Sequence, residues 1–203
     1  GVAICVERRD FREKVREQRV GASILFVVDG SRSMEARRRM AFAKGAVLSI
    51  LEEAYCKRDQ AGMVVFQDGE ARVSLDFTRS VELAKKRLEE LPVRGNTPLA
   101  QGLRVAYRYL RKEWMRNPDM LPVVVLLTDG KANDAVSEDP FQEAVRAAKM
   151  IKEAQIPAVV IDTETGFVRM RFAQEIADAM GASCVSLERL MPEKIGKMVH
   201  RIL

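Results

Sequence analysis

Residues Ile24 to Met34 read ILFVVDGSRSM. Five consecutive apolar residues, mostly branched, with no polar alternation, suit a strand buried on both faces, as in a parallel sheet. The run stops at Asp29, and Gly30, Ser31, Arg32 and Ser33 follow, ahead of a long amphipathic segment. Asp29, Ser31 and Ser33 are thus expected on the loop leaving the C-terminal end of a central strand, where open α/β sheets place their ligands.

The residue types set the chemistry of that loop. One carboxylate and two hydroxyls offer only oxygen, which suits a hard divalent cation, above all Mg²⁺, and suits zinc poorly. The same residues are also ordinary turn and helix-capping residues, and Ser33 is placed to cap the helix behind it. The choice rests on what lies downstream.

The 203-residue chain is long enough for one α/β domain with a proper core. With 47% hydrophobic and 31% charged residues, its composition is that of an ordinary globular protein. No apolar run approaches the roughly 20 residues of a spanning helix, so no membrane span is expected. The start, GVAICVERRD, does not have the form of a signal peptide, and Gly1 in place of Met suggests that further domains belong to the parent protein.

Cys5, Cys56 and Cys184 form no CxxC pair and read as reduced, which points to the cytoplasm, with Cys56 at a helix end and Cys184 in a strand as packing residues. The lone His200 excludes a multi-histidine metal site and leaves no usual general base beside a nucleophile. The net charge of +5 and pI of about 9.2 permit nucleic-acid binding. Aromatics, however, are only 6% and are not interleaved with the basic runs, so no nucleic acid is expected. Arg37, Arg38 and Arg39, and the stripe Arg104, Arg108, Arg111 and Lys112, read as solvated faces or as protein-docking patches.

Outward from the first strand, residues 1–20 form an arm of alternating charge, and residues 21–203 form the folded domain. The expected order is strand 23–29, helix 33–57, strand 61–67, an antiparallel edge strand 71–75 after the Asp68-Gly69 turn, and helix 80–91. Then come helix 99–115, strand 122–128, helix 140–154, strand 156–163, helix 171–180, strand 182–186 and helix 192–203. This alternation predicts a doubly wound, mostly parallel α/β sheet with one antiparallel edge strand and helices on both faces. The methionines are expected as core filler.

Three loops then carry oxygen ligands: Asp29 to Ser33, Gly95-Asn96-Thr97-Pro98, and Thr128-Asp129-Gly130. The Thr97 hydroxyl either caps the next helix or reaches a cation. If their strands are adjacent, Asp29 and Asp129 approach each other, and two close carboxylates call for a cation or a shared proton. Asp162-Thr163-Glu164, after the fifth strand, is explained equally well by turn chemistry and is left out of the set.

Asp-x-Ser-x-Ser, a Thr in a Gly-containing loop and Thr-Asp-Gly, in this order across about a hundred residues, resemble the metal-ion-dependent adhesion site of von Willebrand factor A (integrin I) domains. The resemblance implies metal ligands at Asp29, Ser31, Ser33, Thr97 and Asp129, with Mg²⁺ as the ion, Mn²⁺ as its substitute, and one coordination position open to an acidic residue of a partner. The stretches VGASILFVVDGSRSM, LPVRGNTPLAQGL, VVLLTDGKAN and VVIDTETGFVR narrow the likeness to the C-terminal integrin-like domains of magnesium chelatase D subunits. The sequence departs from that pattern at Arg32, where the family usually has Gly; its side chain either covers the open coordination position or points outward.

The likeness implies a non-catalytic docking role beside an AAA+ ATPase subunit and a tetrapyrrole-binding chelatase subunit, during ATP-driven insertion of Mg²⁺ into a porphyrin. No GxxxxGK[ST] occurs in this sequence. Three other readings share parts of this pattern. A cobalt-inserting chelatase or another AAA+ system would use the same fold. A haloacid-dehalogenase-type phosphatase would need a second Asp where Ser31 stands and a lysine, for which Lys131 is the candidate. A dinucleotide-binding domain would need a GxGxxG after the first strand, which is missing.

Overall fold

The computed structural model describes residues 21–32, 37–91, 94–133, 139–164 and 170–187. The arm over 1–20, Ser33 with its capping role, the side chains of Arg37 to Arg39 and the closing helix over 192–203 lie outside the described residues. The elements are β1 (Ala22–Asp29), α1 (Arg37–Lys57), β2 (Gln60–Gln67), β3 (Glu70–Thr78), α2 (Val81–Glu89), α3 (Leu99–Arg116), β4 (Leu121–Thr128), α4 (Pro140–Glu153), β5 (Ala158–Asp162), α5 (Phe172–Met180) and β6 (Ser183–Ser186).

The sheet order is β3-β2-β1-β4-β5-β6. All pairs are parallel except β2–β3, so the expected doubly wound sheet with one antiparallel edge strand is what forms. Every residue of β1 is buried, and so is all of β4 after Leu121, which is why neither strand alternates in sequence. Successive β1 side chains point to opposite faces. Phe26 and Val28 meet Val47 and Leu51 of α1 and Leu88 of α2. Leu25 and Val27 share the other core with Leu103 of α3, Ala147 of α4 and Ile176 of α5.

The hairpin turns at Asp68 and Gly69, both with positive φ (51° and 78°), as a two-residue turn matched to strand twist requires. β3 runs on to Thr78, past the expected end at residue 75, because register shifts between Ala61 and Val64 let the pairing continue. β5 begins at Ala158 rather than Ile156. The Ile156 N–H still bonds Ile151 O, and Gln155 has φ of 54°, so these residues close α4.

Two packing expectations need correction. Met40, Met63, Met120 and Met180 are core residues, but Met115 and Met170 are exposed. Cys56 is exposed in the last turn of α1, whereas Cys184, half-buried on the short edge strand β6, packs against the second core as expected. Among the described residues, no helix is long and apolar enough to cross a membrane.

Candidate metal centre

From β1 the chain winds to β2 and β3 on one side, and β4 carries it to β5 and β6 on the other. The crevice at such a switch point, outside the carboxyl ends of the strands, is where this architecture binds ligands. Asp29 ends β1, and Asp129 directly follows β4. Val28 lies opposite Leu127, so the two carboxylates leave neighbouring strands side by side.

Backbone bonds stitch the loops around them. The Gly30 N–H donates to Phe66 O (3.0 Å), the Arg94 N–H to Gly30 O (2.9 Å) and the Arg32 N–H to Gly95 O (3.2 Å). The second loop is tied to the third through Asn133: the Thr97 N–H donates to Asn133 Oδ1 (2.6 Å), and the Asn133 N–H to Thr97 O (3.4 Å). Gly95 has φ of 70°, and a Cβ there would lie 2.3 Å from Asp68 Oδ1, so only glycine brings this loop against the hairpin.

Four of the five expected residues therefore come together. Asp29, Ser31, Thr97 and Asp129 are each at most 1% exposed, and Ser33 lies outside the described residues. Asp29 Oδ1 accepts the Ser31 N–H (3.0 Å), and Oδ2 accepts the Thr128 hydroxyl (2.9 Å). Burial pushes the Asp29 carboxyl up to about 7; the bonds from Ser31 and Thr128 oppose this, and the neighbouring Asp129 charge adds to it. Asp129 Oδ1 accepts the Lys131 N–H (3.1 Å), and Lys131 Nζ stands 3.7 Å from Oδ2.

Thr97 decides between capping and ligation. The N-cap of α3 is Pro98, and no side chain caps that helix. Thr97 stands one residue too early, its carbonyl taking the Leu99 N–H (2.9 Å). Its Oγ1 is buried and has no hydrogen-bond partner among the described residues. A buried hydroxyl without a partner costs about 1–3 kcal/mol, so its retention calls for a use. Among the described residues no cluster of three or more His, Cys, Asp or Glu could hold a metal. The donor set is two carboxylates plus hydroxyls, which fits Mg²⁺ and not a soft ion. Arg32 is exposed, so its side chain sits at the surface rather than among the buried oxygens.

Two residues of the arrangement escape a sequence reading. Thr128 bridges the strand ends, its hydroxyl giving to Asp29 and taking the Gly130 N–H (3.0 Å). Its place in Thr-Asp-Gly was the available signal. Asn133 locks the second loop, yet it sits in a polar stretch where nothing marks it out. Asp162, Thr163 and Glu164 are buried and brace the crevice: the Thr163 N–H bonds Thr128 O (3.1 Å), and Asp162 Oδ1 takes the Glu164 N–H (2.8 Å).

A model of the von Willebrand factor type A domain matches residues 24–131. The chain is 41% identical to an uncharacterized protein of Mycobacterium tuberculosis, over 89% of this chain and 28% of that one. It is 34% identical to the magnesium-chelatase 67 kDa subunit of Heliobacterium mobile, over 97% of this chain and 30% of that subunit. It thus spans about a third or less of either relative. Among solved structures, the VWA domain of SpRpn10 superposes with a TM-score of 0.66 at 18% identity, over 88% of this chain and 95% of that one, which is a likeness of fold.

Proposed function

The chain belongs to the von Willebrand factor type A domain family, and from that premise we propose that it is a Mg²⁺-dependent docking domain of a magnesium-chelatase-like complex. The observation that carries the reading is the buried Thr97 hydroxyl, without a hydrogen-bond partner among the described residues, beside the loops of Asp29 and Asp129. Asp29, Ser31, Ser33, Thr97 and Asp129 would hold the ion. When bound, Mg²⁺ supplies an open coordination position that attracts a partner's Asp or Glu, because most of its protein ligands are neutral hydroxyls.

The chain's own part is preorganisation. Asp29 is held by Ser31 and Thr128, and the second loop is clamped by Gly30, Arg32 and Asn133. Little ordering entropy is then left to oppose docking. The partners in this reading are an AAA+ ATPase subunit and a tetrapyrrole-binding chelatase subunit, which hydrolyse ATP and carry out insertion while this domain positions them. Likeness to magnesium-chelatase subunits across nearly the whole chain supports it.

The test is a Mn²⁺ titration followed by electron paramagnetic resonance, on wild type and Asp29→Ala. Saturable binding at one site, lost in the variant, is the expected result. Partner docking that persists in EDTA would remove the metal from the mechanism.

A further inference from the structure

Helix α3 carries five cations and one acid, +4 net against +5 for the whole chain. Its inner face, with Leu99, Leu103, Ala106 and Leu110, is spent on the sheet. The outer charges do not form one uniform stripe. Arg104 is half-buried and pairs with Glu143 of α4, so it is structural. Beyond it, Tyr107, Arg108, Arg111, Lys112, Met115 and Arg116 line an open depression of about 570 Å³. Of the cations there, only Arg116 meets a carboxylate among the described residues, that of Glu113 (2.9 Å). Arg108 Nε donates to Arg104 O (3.3 Å), and the Arg111 guanidinium lies 5.9 Å from the centre of the Tyr107 ring.

We propose that this depression is a second docking surface, for an extended acidic segment of a partner protein. The spacing argues for it. Arg108, Lys112 and Arg116 follow one another at four-residue steps, a ridge of positive charge repeating every ~6 Å along the axis. Alternate side chains of an extended peptide recur at ~6.6 Å, so carboxylates at every second position match that ridge. Tyr107, Arg111 and Met115 form the parallel ridge, where Met115 is 78% exposed and offers apolar contact to the peptide's intervening residues. Single-stranded nucleic acid fits less well. It needs a series of open aromatic platforms, and Arg111 lies over the Tyr107 ring. The surface begins at Tyr107, about eight residues beyond Leu99 on α3 and ~12 Å along the axis from the Thr97 end, so a partner engages it without the metal ligands.

The test is fluorescence anisotropy of a labelled peptide about ten residues long, alternating Asp with Val and Ser, in EDTA so that the metal centre plays no part. Saturable, salt-sensitive binding is expected. It should weaken about tenfold or more in Arg108→Glu/Lys112→Glu, weaken in Met115→Ser, and stay unchanged in Asp29→Ala. The affected side chains are exposed, and unchanged melting curves would show that the variants fold. Failure of the peptide to bind, or equal affinity in the reversed-charge variant, overturns the proposal. Tighter binding of an oligothymidylate of similar length, displacing the peptide, overturns it in favour of nucleic acid.

Discussion

At the scale of single residues, the centre is built from groups that are poor bargains without a ligand. Thr97→Val keeps the shape and removes a buried hydroxyl that has no partner among the described residues. Stability in EDTA should therefore stay level or rise by about 1 kcal/mol in urea unfolding, while Mn²⁺ binding weakens at least about tenfold. A capping role would have produced the opposite, a loss of stability with binding intact. Asp29 gives a second signature. Its carboxyl is raised from 3.8 to about 7 in the fold by burial, so the folded state holds a proton that the unfolded chain has released. The resulting stability is fully present below pH 3.8 and is lost as pH rises through about 7, on the order of a few kcal/mol in the metal-free protein. Asp29→Asn should flatten that slope in denaturation curves measured between pH 5 and pH 8. Asp29 and Asp129 were legible because they stand where apolar runs stop, and Ser31 and Thr97 because they offer oxygen in short loops beside them. Thr128 was marked only by its place in Thr-Asp-Gly, and Asn133 not at all, because a clamping hydrogen bond leaves no pattern in the sequence.

Elements decide where those residues stand, and here the sequence was most readable. The unalternating runs of β1 and β4 announced strands covered on both faces, and Asp68-Gly69 announced the hairpin. Pro140 at the start of α4 was equally plain, and Asp139 just before it accepts the N–H groups of Phe141 and Gln142 (3.0 Å each). Element ends were less readable where tertiary pairing set them: β3 outran its alternating pattern, and Ile156 closed a helix instead of opening a strand. Two substitutions separate local from site-forming roles. Asp139→Ala should cost about 1 kcal/mol with no change in metal affinity, as loss of an N-cap does. Gly95→Ala should cost about 1–3 kcal/mol and also weaken Mn²⁺ binding. Its φ of 70° and the 2.3 Å approach of a Cβ to Asp68 Oδ1 force the Thr97 loop off the hairpin.

The whole molecule turns a strand order into a binding crevice, because β1 and β4 are neighbours although the Asp29 and Thr128 that meet at their ends are 99 positions apart in sequence. That adjacency was a condition in the sequence reading, since alternation of strands and helices implies a parallel sheet but not its order. It places two buried acids at one point of the domain, so an ion bound there would offset the cost of burying their charge. Divalent ion should therefore act on the entire unfolding transition. A ligand at a hundredfold its dissociation constant adds about 2.7 kcal/mol. For a domain of this size that corresponds to a rise in Tm of roughly 5–10 °C on adding Mg²⁺ or Mn²⁺. Asp29→Asn should melt at or above the wild-type temperature in EDTA and show no rise with either ion. A variant that is at least as stable without metal, yet unresponsive to it, would show that Asp29 is kept for binding at the expense of the fold. Were the variant instead to melt well below wild type in EDTA, Asp29 would be a structural partner of Ser31 and Thr128, and the case for a metal centre at this crevice would fall.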